Sequence, residues 1–242
     1  MQTVQHNKEE NSRKFNDYFD KLVCNIDSQL VVVMDGDETL STKDTSQIFW
    51  ENNFNKEAWL DFRNDFVEIG RNFDGYLKAA QRYSLIDIEE YARHCQNTSK
   101  LVKLRQGWSG FVENFPKVIV VTSGIKLLWE HVIKTNNWTN VSIVGGNHLI
   151  LDEFIVDPDI KYELVKKLKV ANKKVIAFGD SRVDAPMLKT ADIGIVVANE
   201  RKSPNLVEAL QGAQNIYQIK MEEELLPSIP ISSLEEILNK HL

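Results

Sequence analysis

Cysteine is scarce: the 242 residues hold two, Cys24 and Cys95, without a CxxC spacing. A disulfide framework needs several pairs and a structural zinc site needs clustered ligands, so neither is indicated, and two reduced, packed thiols are expected. No glycine is followed by lysine, which removes the P-loop, and Gly107-Trp108-Ser109-Gly110 lacks the spacing of a serine-hydrolase elbow. Long hydrophobic runs are missing too. The longest apolar strings, around Val31 and Val118, fall far short of the ~20 residues that span a bilayer. The first thirty residues carry Lys, Glu, Asn and Asp throughout, with no continuous apolar stretch of the kind a signal peptide needs. Positive charge is not in excess. With 29 Lys and Arg against 35 Asp and Glu, the net charge of −6 argues against partners held by bulk charge, namely nucleic acid and anionic membranes. A cytoplasmic chain, monomer or homodimer, is the expectation.

What is present is an ordinary globular composition, 43% hydrophobic and 26% charged, in a length that suits one large domain or one and a half. Leu30 to Met34 is an apolar, β-branched run ending in Asp35-Gly36-Asp37, a buried strand followed by a polar turn. Similar runs recur at Val118–Val121, Val141–Val144, Val175–Phe178 and Ile193–Val197, with a weaker one at Ile216–Ile219. Helical patterns lie between them. Lys126–Lys134 is apolar at Leu127, Leu128, Val132 and Ile133, and Asp157-Pro158 reads as an N-cap with proline at the first helical position. Alternating strands and helices predict an α/β fold, a doubly wound parallel sheet covered on both faces. A helix over Asn11–Cys24 is expected to lie on this core.

The alternation breaks once. From Leu40 to Phe115 no strand-like run occurs, but helical spacing does, as in Trp59, Phe62, Phe66 and Ile69, or Phe73, Leu77 and Ala80, or after Asp87 and Glu90. A strand-helix-strand crossover takes ~30 residues, so this interval is far too long for a connector. It predicts an inserted helical cap over residues 45–116, with the core formed by 1–44 and 117–242. The aromatic positions Trp50, Trp59, Phe62 and Phe66 read as the core of that bundle. Two short β-like pieces, His148–Leu151 and Phe154–Val156, read as a hairpin or flap. The histidines, at 6, 94, 131, 148 and 241, show no metal-site pairing and are expected at the surface.

In open parallel sheets ligands bind beyond the carboxyl ends of the strands, so residues following each apolar run are informative. They are Asp35, Asp37 and Thr39; Thr122, Ser123 and Gly124; Gly179, Asp180, Ser181 and Asp184. Acidic groups converging on one edge repel without a cation, and carboxylates with carbonyls are ligands that Mg²⁺ prefers. An EF-hand starting at Asp35 is excluded, since its sixth and twelfth positions would be Leu40 and Ser46. Lys161, in the first turn of the helix that Asp157 caps, adds a positive charge. A metal, a lysine, a hydroxyl and backbone amides together suit a phosphoryl group.

The strings VVVMDGDETL, VIVVTSG, the isolated Lys161 and VIAFGDSRVDAPML resemble the four successive motifs of the haloacid dehalogenase superfamily. The helical insert after the first motif resembles its phosphoserine-phosphatase-like branch. The resemblance implies a phosphatase in which Asp35 is the nucleophile that forms an aspartyl-phosphate and Asp37 the general acid and base. It implies that Thr122, Ser123 and Lys161 hold phosphoryl oxygens, that Asp35, the Asp37 carbonyl and Asp180 bind Mg²⁺, and that Asp184 supports the site from behind. The retained Asp37 favours phosphate chemistry over carbon–halogen cleavage. The substrate would be a small phosphorylated metabolite.

Departures from the phosphoserine pattern concern the substrate. Val183 and Ser181 replace an asparagine and a glycine in the last motif, Asp44 stands for a glutamate at the start of the cap, and Lys78, or Arg82 one turn on, stands for the arginine that grips the substrate carboxylate. Lysine lacks the bidentate fork of arginine. Three alternatives stay open: a phosphotransferase or mutase sharing the aspartyl-phosphate, a receiver-like phosphate-responsive protein, and a non-catalytic relative.

Overall fold

The computed structural model of the protein describes residues 7–197 and 203–219. All six apolar runs form strands: β1 (Leu30–Asp35), β2 (Val118–Thr122), β3 (Val141–Gly145), β4 (Lys174–Gly179), β5 (Ile193–Val197) and β6 (Ile216–Ile219). They pair in parallel in the order β3-β2-β1-β4-β5-β6. The order reverses between β1 and β4, and a crevice beyond the strand ends is the geometric consequence there. Register levels the motifs: Asp35 faces Val121, Met34 faces Phe178, and Thr122 faces Gly145. Asp35, Thr122 and Asp180 therefore come to one sheet edge.

Both faces of the sheet are covered, as the continuous apolar strands require. Val31 and Val33 pack with Phe15 and Phe19 of α1 (Lys8–Val23) and with Ile160, Leu164 and Leu168 of α8 (Pro158–Val170). Val32 and Met34 pack on the opposite face with Leu128, Trp129 and Val132 of α7 (Lys126–Thr135). Two short helices, α9 (Ala185–Thr190) and α10 (Ser203–Ala209), complete the first layer.

Five helices occupy the long interval: α2 (Thr45–Asn53), α3 (Lys56–Glu68), α4 (Phe73–Tyr83), α5 (Ile88–Ser99) and α6 (Trp108–Asn114). Each of α2 to α5 starts at an Asp or Asn whose side chain accepts N–H groups of the first turn, at Asp44, Asn55, Asn72 and Asp87. The chain leaves and returns through paired segments. Thr42 N donates to Lys103 O (2.8 Å) and Arg105 N to Leu40 O (3.1 Å).

The expected hairpin before α8 does not form. Its backbone groups bond to side chains instead of a ladder: Asp152 accepts the N–H groups of Asn147 (2.9 Å) and His148 (3.0 Å), and Ser84 Oγ that of Leu149 (2.9 Å). Asn11 of α1 bonds both to the N–H of Ile155 (2.7 Å) and to its carbonyl (2.9 Å), so the N-terminal helix pins this loop. The histidine expectation also fails, since His94 and His148 are buried. His148 packs against Tyr91 at 4.5 Å, and burial lowers its pKa. His6 and His241 lie outside the described residues, as do residues 220–242 of the second core segment.

Candidate active site

The turn after β1 carries the first motif around a tight bend. Glu38 adopts a left-handed conformation (φ 57°), which is strained for a residue with a Cβ and persists where surroundings impose it. Arg105 supplies that constraint, donating through its guanidinium to the Glu38 carbonyl (2.8 and 3.2 Å), while Trp108 Nε1 donates to Thr39 O (3.0 Å). Both residues come from the far end of the insert. The bend turns Asp37 back over the strand ends, where its Oδ1 accepts the N–H of Thr45 at the start of α2 (2.7 Å) and its Oδ2 the Thr122 hydroxyl (3.3 Å). Gly124 leaves room beside it, since a Cβ there would lie 2.5 Å from Asp37 Oδ2 and push that carboxylate out of place.

Lys161 projects from the first turn of α8 into the centre of this edge and is 1% exposed. Its Nζ donates to Asp35 Oδ1 (2.6 Å) and to Asp184 Oδ1 (2.7 Å). Burial works against its charge, but Asp184 and Asp35 outweigh that effect and raise its pKa, so the ammonium is held protonated. For Asp35 the balance is reversed. Burial pushes its carboxyl well above the usual carboxylate range, Lys161 pulls it back, and Asp184, Asp180 and Asp37 push it up again.

Asp184 is saturated by donors. Besides Lys161 it accepts, at Oδ2, the N–H groups of Asp180 (3.2 Å) and Ser181 (3.0 Å) and the Ser181 hydroxyl (3.0 Å). Ser181, a departure from the family glycine, thus closes a capping box on Asp184. Asp180 accepts the Thr39 hydroxyl (3.1 Å). Asp35, Asp180 and Asp184 are all buried and present carboxylate oxygens within 4.8 Å of one another. Hard oxygen donors at that separation fit a divalent cation such as Mg²⁺.

A cavity of about 320 Å³ opens onto this cluster, within the range of small-molecule sites. Asp35, Asp37, Ser123, Lys161 and Asp180 line it, together with Asp44 and Val183. Thr122 and Asp184 stand behind its wall, fully buried. Asp44 serves first as the N-cap of α2, its Oδ1 accepting Ser46 N (2.9 Å) and Gln47 N (3.3 Å).

Lys78 and Arg82 do not line the cavity. Lys78 follows the buried Tyr76 by two residues, about 200° around a helix, and points to solvent. Arg82 is tied to Asp61 and Asp65 of α3. The cavity instead takes Arg63 from α3 and Arg71 from the α3–α4 link. Among the described residues, neither pairs with a carboxylate. Sequence reasoning missed them, and also Tyr76 and Asn147, because the motif frame fixes the core and not the cap. The one available signal was a polar Arg71 between Gly70 and the capping Asn72.

The model of the haloacid dehalogenase-like hydrolases matches residues 32–189, the span that runs from β1 to α9. The chain belongs to this family. A phosphoserine phosphatase described as a phospho-aspartyl intermediate analogue superposes with a TM-score of 0.57 at 19% identity, covering 88% of this chain and 99% of that one. A substrate-bound phosphoserine phosphatase gives 0.57 at 18%, covering 90% and 100%. At these identities the likeness is one of fold. A plasma membrane ATPase of Dunaliella bioculata is 28% identical over 154 residues, 54% of this chain. The match spans only 13% of that protein's length. No helix among the described residues is long and apolar enough to cross a membrane.

Proposed function

We propose that this hydrolase is a Mg²⁺-dependent phosphatase acting on a small phosphorylated metabolite through an aspartyl-phosphate on Asp35. The observation that carries the reading is the buried Lys161 ammonium held between Asp35 and Asp184, with Asp37 beside it on the cavity wall. Asp35 attacks phosphorus in line, the ester P–O bond breaks, and the Asp37 carboxyl gives its proton to the leaving oxygen. Asp37 then takes a proton from water, which attacks the phosphoryl group and frees Asp35. Lys161, Ser123 and the amides that follow Thr122 hold the phosphoryl oxygens, and Asp184 fixes Lys161. Asp35, Asp180 and the Asp37 carbonyl would hold Mg²⁺, which when bound offsets the crowding of carboxylates and stabilises phosphoryl charge. Residues 45–116 act as a cap that excludes water and bulky phosphoproteins. Cytoplasmic location, and a monomer or homodimer with no nucleic-acid or membrane partner, complete the proposal.

Two outcomes are expected. Saturating Mg²⁺ raises the melting temperature by about 5–10 °C, as binding at ~100 times Kd contributes ~2.7 kcal/mol, and chelator removes this shift together with all phosphate release. A melt unmoved by Mg²⁺, or turnover in chelator, refutes the metal assignment; transfer to added alcohols without free phosphate redirects the reading to a phosphotransferase. Arg71 takes the gripping role first assigned to Lys78 and Arg82. Arg71→Ala is expected to raise KM about tenfold for substrates with an anionic leaving group, the loss of one charge-assisted contact, with kcat nearly kept. An unchanged KM removes Arg71 from recognition.

A further inference from the structure

The insert contributes rings to the cavity where the reaction would need none. Trp59, Phe62 and Phe66 of α3 and Tyr76 of α4 line the same space as Asp35 and Lys161. They form one continuous wall: Trp59 stacks on Phe62 at 5.9 Å and 27°, Phe62 meets Phe66 edge-on at 5.7 Å, and Phe66 meets Tyr76 at 5.2 Å. Phe62 and Tyr76 are buried, whereas Trp59 and Phe66 are only half-buried. Trp50 behaves differently, as plain core at 8% exposure and away from the cavity. The helical spacing of these aromatics thus serves two purposes, and the bundle-core reading covers only part of it.

From the core, the side chain that reaches the cavity beside Ser181 is Val183, apolar again. The Arg71 guanidinium lies 5.6 Å from the centroid of Phe66. A leaving alcohol as small and polar as serine would leave the Trp59 and Phe66 surfaces wet and gain nothing from them. A flat ring would bury them and stack, and aromatic pairs gain beyond area alone.

We propose that the alcohol half of the substrate carries a flat unsaturated ring, which packs on the Trp59–Phe66 wall while the phosphoryl group reaches Asp35 and Lys161. This deepens the phosphatase reading and rests on it. The volume of about 320 Å³ is enough for a phosphoryl group and one ring system. Trp59, half-buried on the cavity wall, carries the specificity, and Phe66 supports it with Arg71 over its face.

The test compares benzyl phosphate with n-butyl phosphate, two alkyl esters of alcohols similar in acidity, so that leaving-group chemistry does not set the difference. In Mg²⁺, kcat/KM for the benzyl ester is expected to be at least about tenfold higher. Trp59→Ala brings the ratio close to one, and Trp59→Phe, which keeps a ring, retains most of it; circular dichroism checks that both variants fold. A ratio near one in the unaltered protein overturns the proposal. So does a Trp59→Ala variant that slows both esters alike, the result expected if the wall only packs the cap onto the core. Calorimetry with benzylphosphonate and butylphosphonate separates this inference from the one beneath it. If neither ester is hydrolysed but benzylphosphonate binds about tenfold tighter through Trp59, ring recognition stands and the phosphatase reading falls. If both esters are hydrolysed equally in an Asp35-dependent way, the ring proposal falls alone.

Discussion

Asp35→Asn is expected to lower phosphate release by about 10³-fold or more while raising the melting temperature of the metal-free protein by about 2–4 °C. The activity loss follows from the chemistry: an amide oxygen does not form the acyl phosphate, and the remaining site can only orient water. The stability gain follows from burial. Asp35 is 5% exposed, its carboxyl is pushed up by desolvation and by Asp184, Asp180 and Asp37, and its charged form therefore works against folding in the absence of a cation. Asparagine keeps the shape and an acceptor for Lys161 but removes the charge, which for about 1 kcal/mol gives the stated shift in a chain of this size. Opposite signs on activity and stability mark a group kept for function at the expense of the fold. Thermal melts and phosphate release, both measured in chelator and in Mg²⁺, check the pair. A variant that loses activity and melts lower as well would make Asp35 a structural partner of Lys161 in the first place.

The core was legible because its strands are apolar, β-branched and short, and because β1, β2 and β4 end in residues that a buried strand would not carry for packing. Asp35, Asp37, Thr122 and Asp180 announce themselves by interrupting such runs, and a parallel sheet brings strand ends together whatever the loops do. Lys161 was legible from Asp157-Pro158, which fixes where α8 begins and hence which lysine sits in its first turn. The cap was not legible at the same depth. Its helices follow from periodicity, but which helical face meets the core depends on crossing angles that no local pattern encodes, so Lys78 and Arg82 were placed one face away from the cavity. The segment before α8 differs for another reason: the short apolar pieces His148–Leu151 and Phe154–Val156 suggest strands, but side-chain acceptors at Asp152, Ser84 and Asn11 compete successfully for its N–H groups. Arg105 was invisible because its task, holding the Glu38 carbonyl, is a contact across 67 residues.

Removing Lys161 should be the most damaging single change. Lys161→Met keeps most of the volume of a side chain that is 1% exposed, yet leaves Asp35 and Asp184 buried without their shared ammonium. Breaking a buried ion pair by deleting one partner costs about 3–5 kcal/mol, so the melting temperature should fall by roughly 10 °C or more, and phosphate release should be lost with it. A second substitution tests whether the loss comes from orphaned charge and not from packing. Asp184→Asn by itself weakens Lys161 and should destabilise. In the Lys161→Met background the same change should stabilise, because the asparagine carbonyl can still accept the Asp180 and Ser181 donors while one uncompensated charge disappears. Activity should not return, since the phosphoryl oxygens would still lack their cation. The sign reversal between the two backgrounds is the quantity to measure, by denaturant melts of the four proteins of the cycle. Additive effects of the two substitutions would show that Lys161 acts through volume, and would take away the electrostatic account of how this chain holds its carboxylates together.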